Sequence, residues 1–188
     1  MRLDKARIAP MTDEELNSDQ EAIMAPMLAM GRDYNIFRTM LRDEKAFQSF
    51  LVWANYVLSD RHNSLSPRDR ELIILRTGFN CKAGYEWAQH VRIGEDKGLT
   101  SEEIERIKAG PEAPEWNAVD RALLHATDEL TEDKFVAQST WEALAPLGDA
   151  QRMDLVYTVG QYTLVSMALN SFGVQLDDDL TLDPDLVR

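Results

Sequence analysis

No stretch of this chain alternates apolar and polar residues as a half-buried strand must; its apolar residues recur at three- and four-residue steps instead. That period dictates helices packed on helices, so the expected fold class is all-α. The clearest stripe is Val119, Ala122, Leu123, Ala126 and Leu130, within a segment from Trp116 to Leu130. Another, over Ala46 to Leu58, carries Phe47, Phe50, Leu51, Ala54, Tyr56 and Leu58, and Val52 and Trp53 widen it enough to predict burial on two sides. A long segment starting at its expected cap, Asp149, carries Met153, Val156, Val159, Tyr162, Thr163, Ser166 and Met167. Leu155, Leu164, Val165 and Leu169 leave it little polar surface, which predicts burial against other helices or another subunit.

Local signals divide the remainder. Thr12–Glu15 and Thr100–Glu103 have the form of capping boxes. Ile23, Met27 and Met30 suit a short helix before Gly31, bent or interrupted by Pro26, and Asn35 is the expected cap of the next helix. Thr77 to Gly84 holds two glycines and an asparagine, which predicts a helix break, and Gly98 suits a helix C-terminus. Residues 1–11 read as an extended arm and the acidic residues 177–188 as a tail. At 188 residues the chain reads as one domain, large enough to bury a core without disulfides or metals.

A formal charge of −13 argues against nucleic acid and against an anionic membrane surface, both of which need clustered Lys and Arg. The longest apolar runs, such as Phe50–Ala54, are far too short to span a bilayer. The single cysteine, Cys81, excludes an intrachain disulfide and fits a reducing compartment. The first residues lack the apolar centre of a signal peptide, so the expected location is the cytoplasm. No phosphate-binding glycine loop and no Gly-x-Ser-x-Gly elbow is present. His62 falls in a polar connection and His125 on a charged helix face, and no His-x-x-x-His spacing points to a metal.

The chemistry concentrates between residues 66 and 90. Ser66 and Pro67 form a helix start, and Glu71 precedes Leu72-Ile73-Ile74-Leu75, a run apolar all round that reads as a buried helix. Glu86 and His90 stand four residues apart, one turn apart on one helix face. A carboxylate at the lip of a buried helix, facing a Glu/His pair, suits proton handling. Arg70 or Arg76 is placed to hold an anionic substrate, and Tyr85 and Trp87 flank the pair as binding candidates. The bland alternatives are an interhelical hydrogen bond for Glu86 and His90, a bridge from Glu71 to Arg68 or Arg70, and Arg76 neutralising a buried carboxylate.

Arg70-Glu-Leu-Ile-Ile-Leu-Arg76, Tyr85-Glu-Trp-Ala-Gln-His90 and Gly98-Leu-Thr-x-Glu-Glu resemble the carboxymuconolactone decarboxylase family, best over about residues 45 to 135. The resemblance implies the all-helical fold shared with alkyl hydroperoxidase D-type enzymes, assembled as trimers or hexamers with sites near protomer contacts. In the hydroperoxidase branch a Cys-x-x-Cys pair precedes the histidine, and an upstream glutamate completes a proton relay. Set on His90, that pattern puts Ala83 and Glu86 at the cysteine positions and Glu71 at the relay glutamate. The relay is kept and both redox cysteines are absent. Cys81 lies two residues before the first position, about 200° around a helix, where it does not substitute.

The first expectation is therefore a cofactor-free lyase or isomerase acting on a small carboxylated lactone or ring-cleavage product. His90 would be the general acid/base, Glu86 would orient and tune it, and Glu71 would complete the relay. The alternatives are a peroxidase-related antioxidant enzyme using Cys81, and a homo-oligomeric ligand-binding protein without turnover.

Overall fold

The computed structural model describes residues 1–187; Arg188, the end of the expected acidic tail, lies outside them. The described residues form nine α-helices and two short 3-10 turns, Asp13–Glu15 and Pro184–Leu186, with no strand. The helices are α1 (Ser18–Ala29), α2 (Asn35–Met40), α3 (Glu44–Val57), α4 (Pro67–Asn80), α5 (Gly84–Asp96), α6 (Ser101–Ala109), α7 (Ala118–Glu132), α8 (Gln138–Ala143) and α9 (Asp149–Phe172). No helix among them is long and apolar enough to cross a membrane.

Side-chain caps fix most starts. Asn17, Asp43, Ser66, Thr100 and Asn117 each accept from the backbone N–H groups that open a helix. Two expected caps sit one residue inside instead: Tyr34 precedes α2 and Gly148 precedes α9. Asn35 is then free to donate from Nδ2 to the Gln175 and Leu176 carbonyls. The Thr12–Glu15 box closes only a 3-10 turn, and α1 runs through Pro26 without interruption.

The centre of the molecule is α4, which packs on α5, α6, α7 and α9. Leu72, Ile73, Ile74 and Leu75 are completely buried, as a run apolar all round requires. Around them Trp87, Ile107, Leu123, Leu124, Leu155 and Val159 form the main core. A second cluster joins Ile36, Val57, Tyr85, Tyr162 and Val165, and a third joins Met24, Met27, Leu41 and Phe47. α3 is buried on one side only: Val52 is 75% exposed and Trp53 41%. Within the chain α9 also keeps an open face, where Met153, Leu164 and Met167 are exposed.

The helix break differs from its expectation. Both glycines of the 77–84 segment lie inside helices, and the turn is confined to Cys81, Lys82 and Ala83. Ala83 N–H donates to the Gly78 carbonyl and Lys82 N–H to that of Phe79, a Schellman closure whose left-handed residue is Lys82, at φ 55°. Gly78 has a packing role instead, because a Cβ there would stand 2.8 Å from Glu86 Oε1.

The two expected arms pack on the body. Arg7 and Ile8 N–H groups both donate to the Phe172 carbonyl, at 2.8 and 3.1 Å. Gly173 ends α9 in the left-handed region, with the Lys5 carbonyl 2.9 Å from where a Cβ would sit. Asp177 accepts from Asn35 N–H, the Tyr85 hydroxyl and Gln89 Nε2. The acidic tail is thereby drawn onto α2 and α5.

Candidate functional site

A cleft of about 790 Å³ opens between α1, α2 and α3 on one side and α4, α5 and α9 on the other. Glu71, Glu86, His90, Arg70 and Tyr85 line it, together with Gln161 and Tyr162. Arg76 and Trp87 do not line it, so five of the seven residues singled out in the sequence converge there.

His90 and Glu71 make the direct contact. Nδ1 of His90 lies 2.7 Å from Glu71 Oε2, with Glu71 only 1% exposed. A carboxylate accepts only, so Nδ1 carries the hydrogen and Nε2 is the ring nitrogen available to a ligand. The Tyr162 ring meets the imidazole edge-on at 4.9 Å and holds its plane. The contact between Glu71 on α4 and His90 is present as expected, whereas Glu86, on the histidine's own helix, does not bond to it.

Glu86 turns instead toward α4 and α9. Its Oε2 accepts from Ser166 Oγ at 3.0 Å, and its buried Oε1 has no partner. Burial pushes its carboxyl well above the usual range, and the Ser166 hydrogen bond offsets only part of that. That burial favours the protonated form of Glu86, the form able to donate a hydrogen. Burial also pushes the Tyr162 phenol up, and the Glu71 charge adds to that.

Arg70 is 1% exposed and pairs with Asp60 through Nη2, and Lys97 Nζ reaches the other Asp60 oxygen at 2.7 Å. The Arg70 Nε has no partner. Tyr85 donates to Asp177 at 2.5 Å, and burial and that carboxylate push its phenol up. Trp87 belongs to the main core, against Phe79. Arg76 holds Asp128 by two hydrogen bonds of 2.6 and 2.8 Å and donates to the Ile107 carbonyl, joining α4 to α6 and α7. Of the two arginines considered for an anionic ligand, only Arg70 lies on the cleft.

Cys81 caps α4 beside α9. Burial pushes its thiol up, and hydrogen bonding with Ser166 and Thr163 opposes this. The net direction favours the thiol over the nucleophilic thiolate.

Sequence reading missed the contribution of α9. Gln161, Tyr162 and Ser166 are all buried, and the Gln161 Nε2 has no partner. The signal lies in polar residues on an otherwise apolar helix: Tyr162 and Ser166 are counted in its stripe, and Gln161 is not singled out.

Residues 45–129 match the family model described as carboxymuconolactone decarboxylase family. No curated protein matches the chain by sequence. Among solved structures, a putative antioxidant defence protein AhpD of unknown function from Agrobacterium tumefaciens is 23% identical, with TM-score 0.67, over 72% of this chain and 93% of its own. An uncharacterized peroxidase-related protein with an alkylhydroperoxidase AhpD core, from Ralstonia eutropha JMP134, superposes with TM-score 0.77 at 18% identity, over 92% and 94%. The debrominase Bmp8, in complex with 2,3,4-tribromopyrrole, gives 0.76 at 10% identity, over 93% and 94%. Through residues 45–129 the chain carries the carboxymuconolactone decarboxylase family match, within the all-helical fold of AhpD-like proteins.

Proposed function

We propose that this protein is a general acid/base enzyme that decarboxylates, or isomerises by proton transfer, a substrate whose carbanion is delocalised into a carbonyl. The observation that carries the reading is the hydrogen bond between Glu71 and His90, both of which line the cleft; it leaves Nε2 as the ring nitrogen not engaged by Glu71. In the decarboxylation the bond to the carboxylate carbon breaks, CO₂ leaves, and the electron pair passes into the conjugated carbonyl as an enolate. A protonated Nε2 then delivers its hydrogen to the α-carbon, and the imidazole regains a proton from solvent. Glu71 accepts from Nδ1 throughout and keeps the ring in place. Neutral Glu86, like the protonated carboxylic acids of other enolising sites, supplies a hydrogen-bond donor that an ionised carboxylate could not.

His90→Ala tests the reading in a screen of carboxylated β-oxo and lactone compounds for CO₂ release or α-proton exchange. Loss of about 10²–10⁴-fold is expected for a general acid/base. Loss below threefold on any substrate turned over would remove His90 from the chemistry.

A second reading, peroxide reduction by a peroxidase-related enzyme, is favoured by the AhpD-like neighbours and by the place of Cys81 at the turn between α4 and α5. It requires Cys81 Sγ to attack the peroxide oxygen and release an alcohol or water, leaving a sulfenic acid for an external thiol to reduce. Only this reading loses activity in Cys81→Ser.

A further inference from the structure

The cleft has two chemically different walls. The helical hairpin of α4 and α5, with α9, supplies most of the charged and hydrogen-bonding groups, and Arg32, Tyr34, Asn55 and Asp60 add to them from the other side. The opposite wall presents Met27, Met30, Phe37, Phe50, Leu51 and Leu58. Met30 is 59% exposed and Leu58 42%, so this apolar lining stays open to solvent. At about 790 Å³ the space lies in the range that encloses a drug-sized ligand, far more than a single six-membered ring occupies.

The polar wall also carries donors without acceptors. Arg70 Nε and Gln161 Nε2 are both buried with no partner among the described residues, and both residues line the cleft. A buried donor left unpaired costs about 1–3 kcal/mol, which a ligand oxygen that reaches it would recover. Arg70 and Lys97 both pair with one carboxylate, Asp60, and so bring two cations to this end of the cleft. The head group therefore bears oxygen acceptors, and the body that meets the methionine and phenylalanine wall is apolar.

We infer that the ligand of this cleft is an amphiphilic acyl compound. Its carboxylate or carbonyl head lies at Arg70, Gln161 and His90, and its aliphatic body of roughly eight or more carbons lies along α1–α3. The inference rests on the acid/base reading for the position of the head. Methionine side chains, unbranched and polarizable, suit an occupant of variable chain shape.

Isothermal titration calorimetry with straight-chain fatty acids of four to twelve carbons, each below its micelle concentration, tests this on the full chain. Affinity should rise with length by up to roughly fourfold per methylene, the yield of burying one, and by at least tenfold from six to twelve carbons. Ala54→Trp, which puts an indole into the apolar side of the cleft, should flatten that dependence while leaving the shortest acids unchanged. His90→Ala should keep the chain-length dependence. Equal or unmeasurable affinities across the series in the wild type would overturn the inference. Length-dependent binding without His90-dependent turnover of any acyl compound would leave it standing and sink the acid/base reading alone.

Discussion

His90 is held by the carboxylate of the neighbouring helix, Glu71, at 2.7 Å, and not by Glu86 one turn before it on its own helix. The i,i+4 rule brings two side chains to one face, but here they face different partners. The imidazole crosses to α4, and the Glu86 carboxyl descends between Gly78 and Ser166.

This division predicts opposite behaviour for two conservative changes. Glu71→Gln removes the obligate acceptor at Nδ1 and permits the wrong tautomer, which should lower turnover by about 10³–10⁴-fold with little change in KM. A proton NMR signal from the shielded Nδ1–H of His90, far downfield, should vanish in Glu71→Gln and persist in Glu86→Gln. Persistence in both variants would deny Glu71 its place.

Glu86 also makes stability depend on pH. Its folded-state pKa is raised above the unfolded value of about 4.5 by burial, so the folded chain holds a proton that the unfolded chain has lost. Stability contributed by the protonated form is full below that unfolded value. It declines as pH rises, by up to about 1.4 kcal/mol per unit, until the folded value is passed. Glu86→Gln removes the titration, so its advantage over wild type should grow between pH 5.5 and 7.5 in urea unfolding. An advantage that is constant across that range would mean that Glu86 is ionised in the fold.

The parts legible in the sequence were those set by one helix at a time. The burial of Leu72–Leu75 followed from a run with no polar face, and the caps at Ser66 and Thr100 from side chains beside their own backbone. Convergence of Glu71, Glu86 and His90 on one cleft followed from their spacing and the resemblance together. What depended on a third helix stayed hidden. Tyr162, Gln161 and Ser166 reach the site only because α9 crosses α4 and α5. The partner of Arg76, Asp128, is on α7, and no local pattern links the two. The break before α5 was placed correctly but attributed to glycines, whereas hydrogen-bond closure put the left-handed strain on Lys82.

Arg76 is accordingly expected to act on stability. Its guanidinium is mostly buried, spans both Asp128 oxygens and donates to a carbonyl at the end of α6. Arg76→Ala leaves Asp128 with only Asn80 as a side-chain donor besides water, and should cost about 2–3 kcal/mol. Fatty-acid affinity of the protein that remains folded should be unchanged. A variant of normal stability with affinity reduced tenfold would return Arg76 to the binding site.

The strain at Lys82 gives the last prediction. A non-glycine residue in the left-handed region costs about 1–2 kcal/mol, and Lys82 adopts it at φ 55° with its side chain exposed. Lys82 gains something in return, since its ammonium lies 4.6 Å from the Phe79 ring centroid, an exposed contact worth roughly 0.5 kcal/mol. Glycine removes the strain but forfeits that contact and adds unfolded-state entropy of about 0.5 kcal/mol. The balance for Lys82→Gly is a gain on the order of 0.5 kcal/mol. Valine, branched at Cβ, makes the same conformation a severe outlier, so Lys82→Val should lose more than 1 kcal/mol, well beyond an ordinary surface substitution. Urea midpoints at constant slope measure both, and Lys82→Val matching wild type would show that the α4–α5 turn does not hold this residue left-handed.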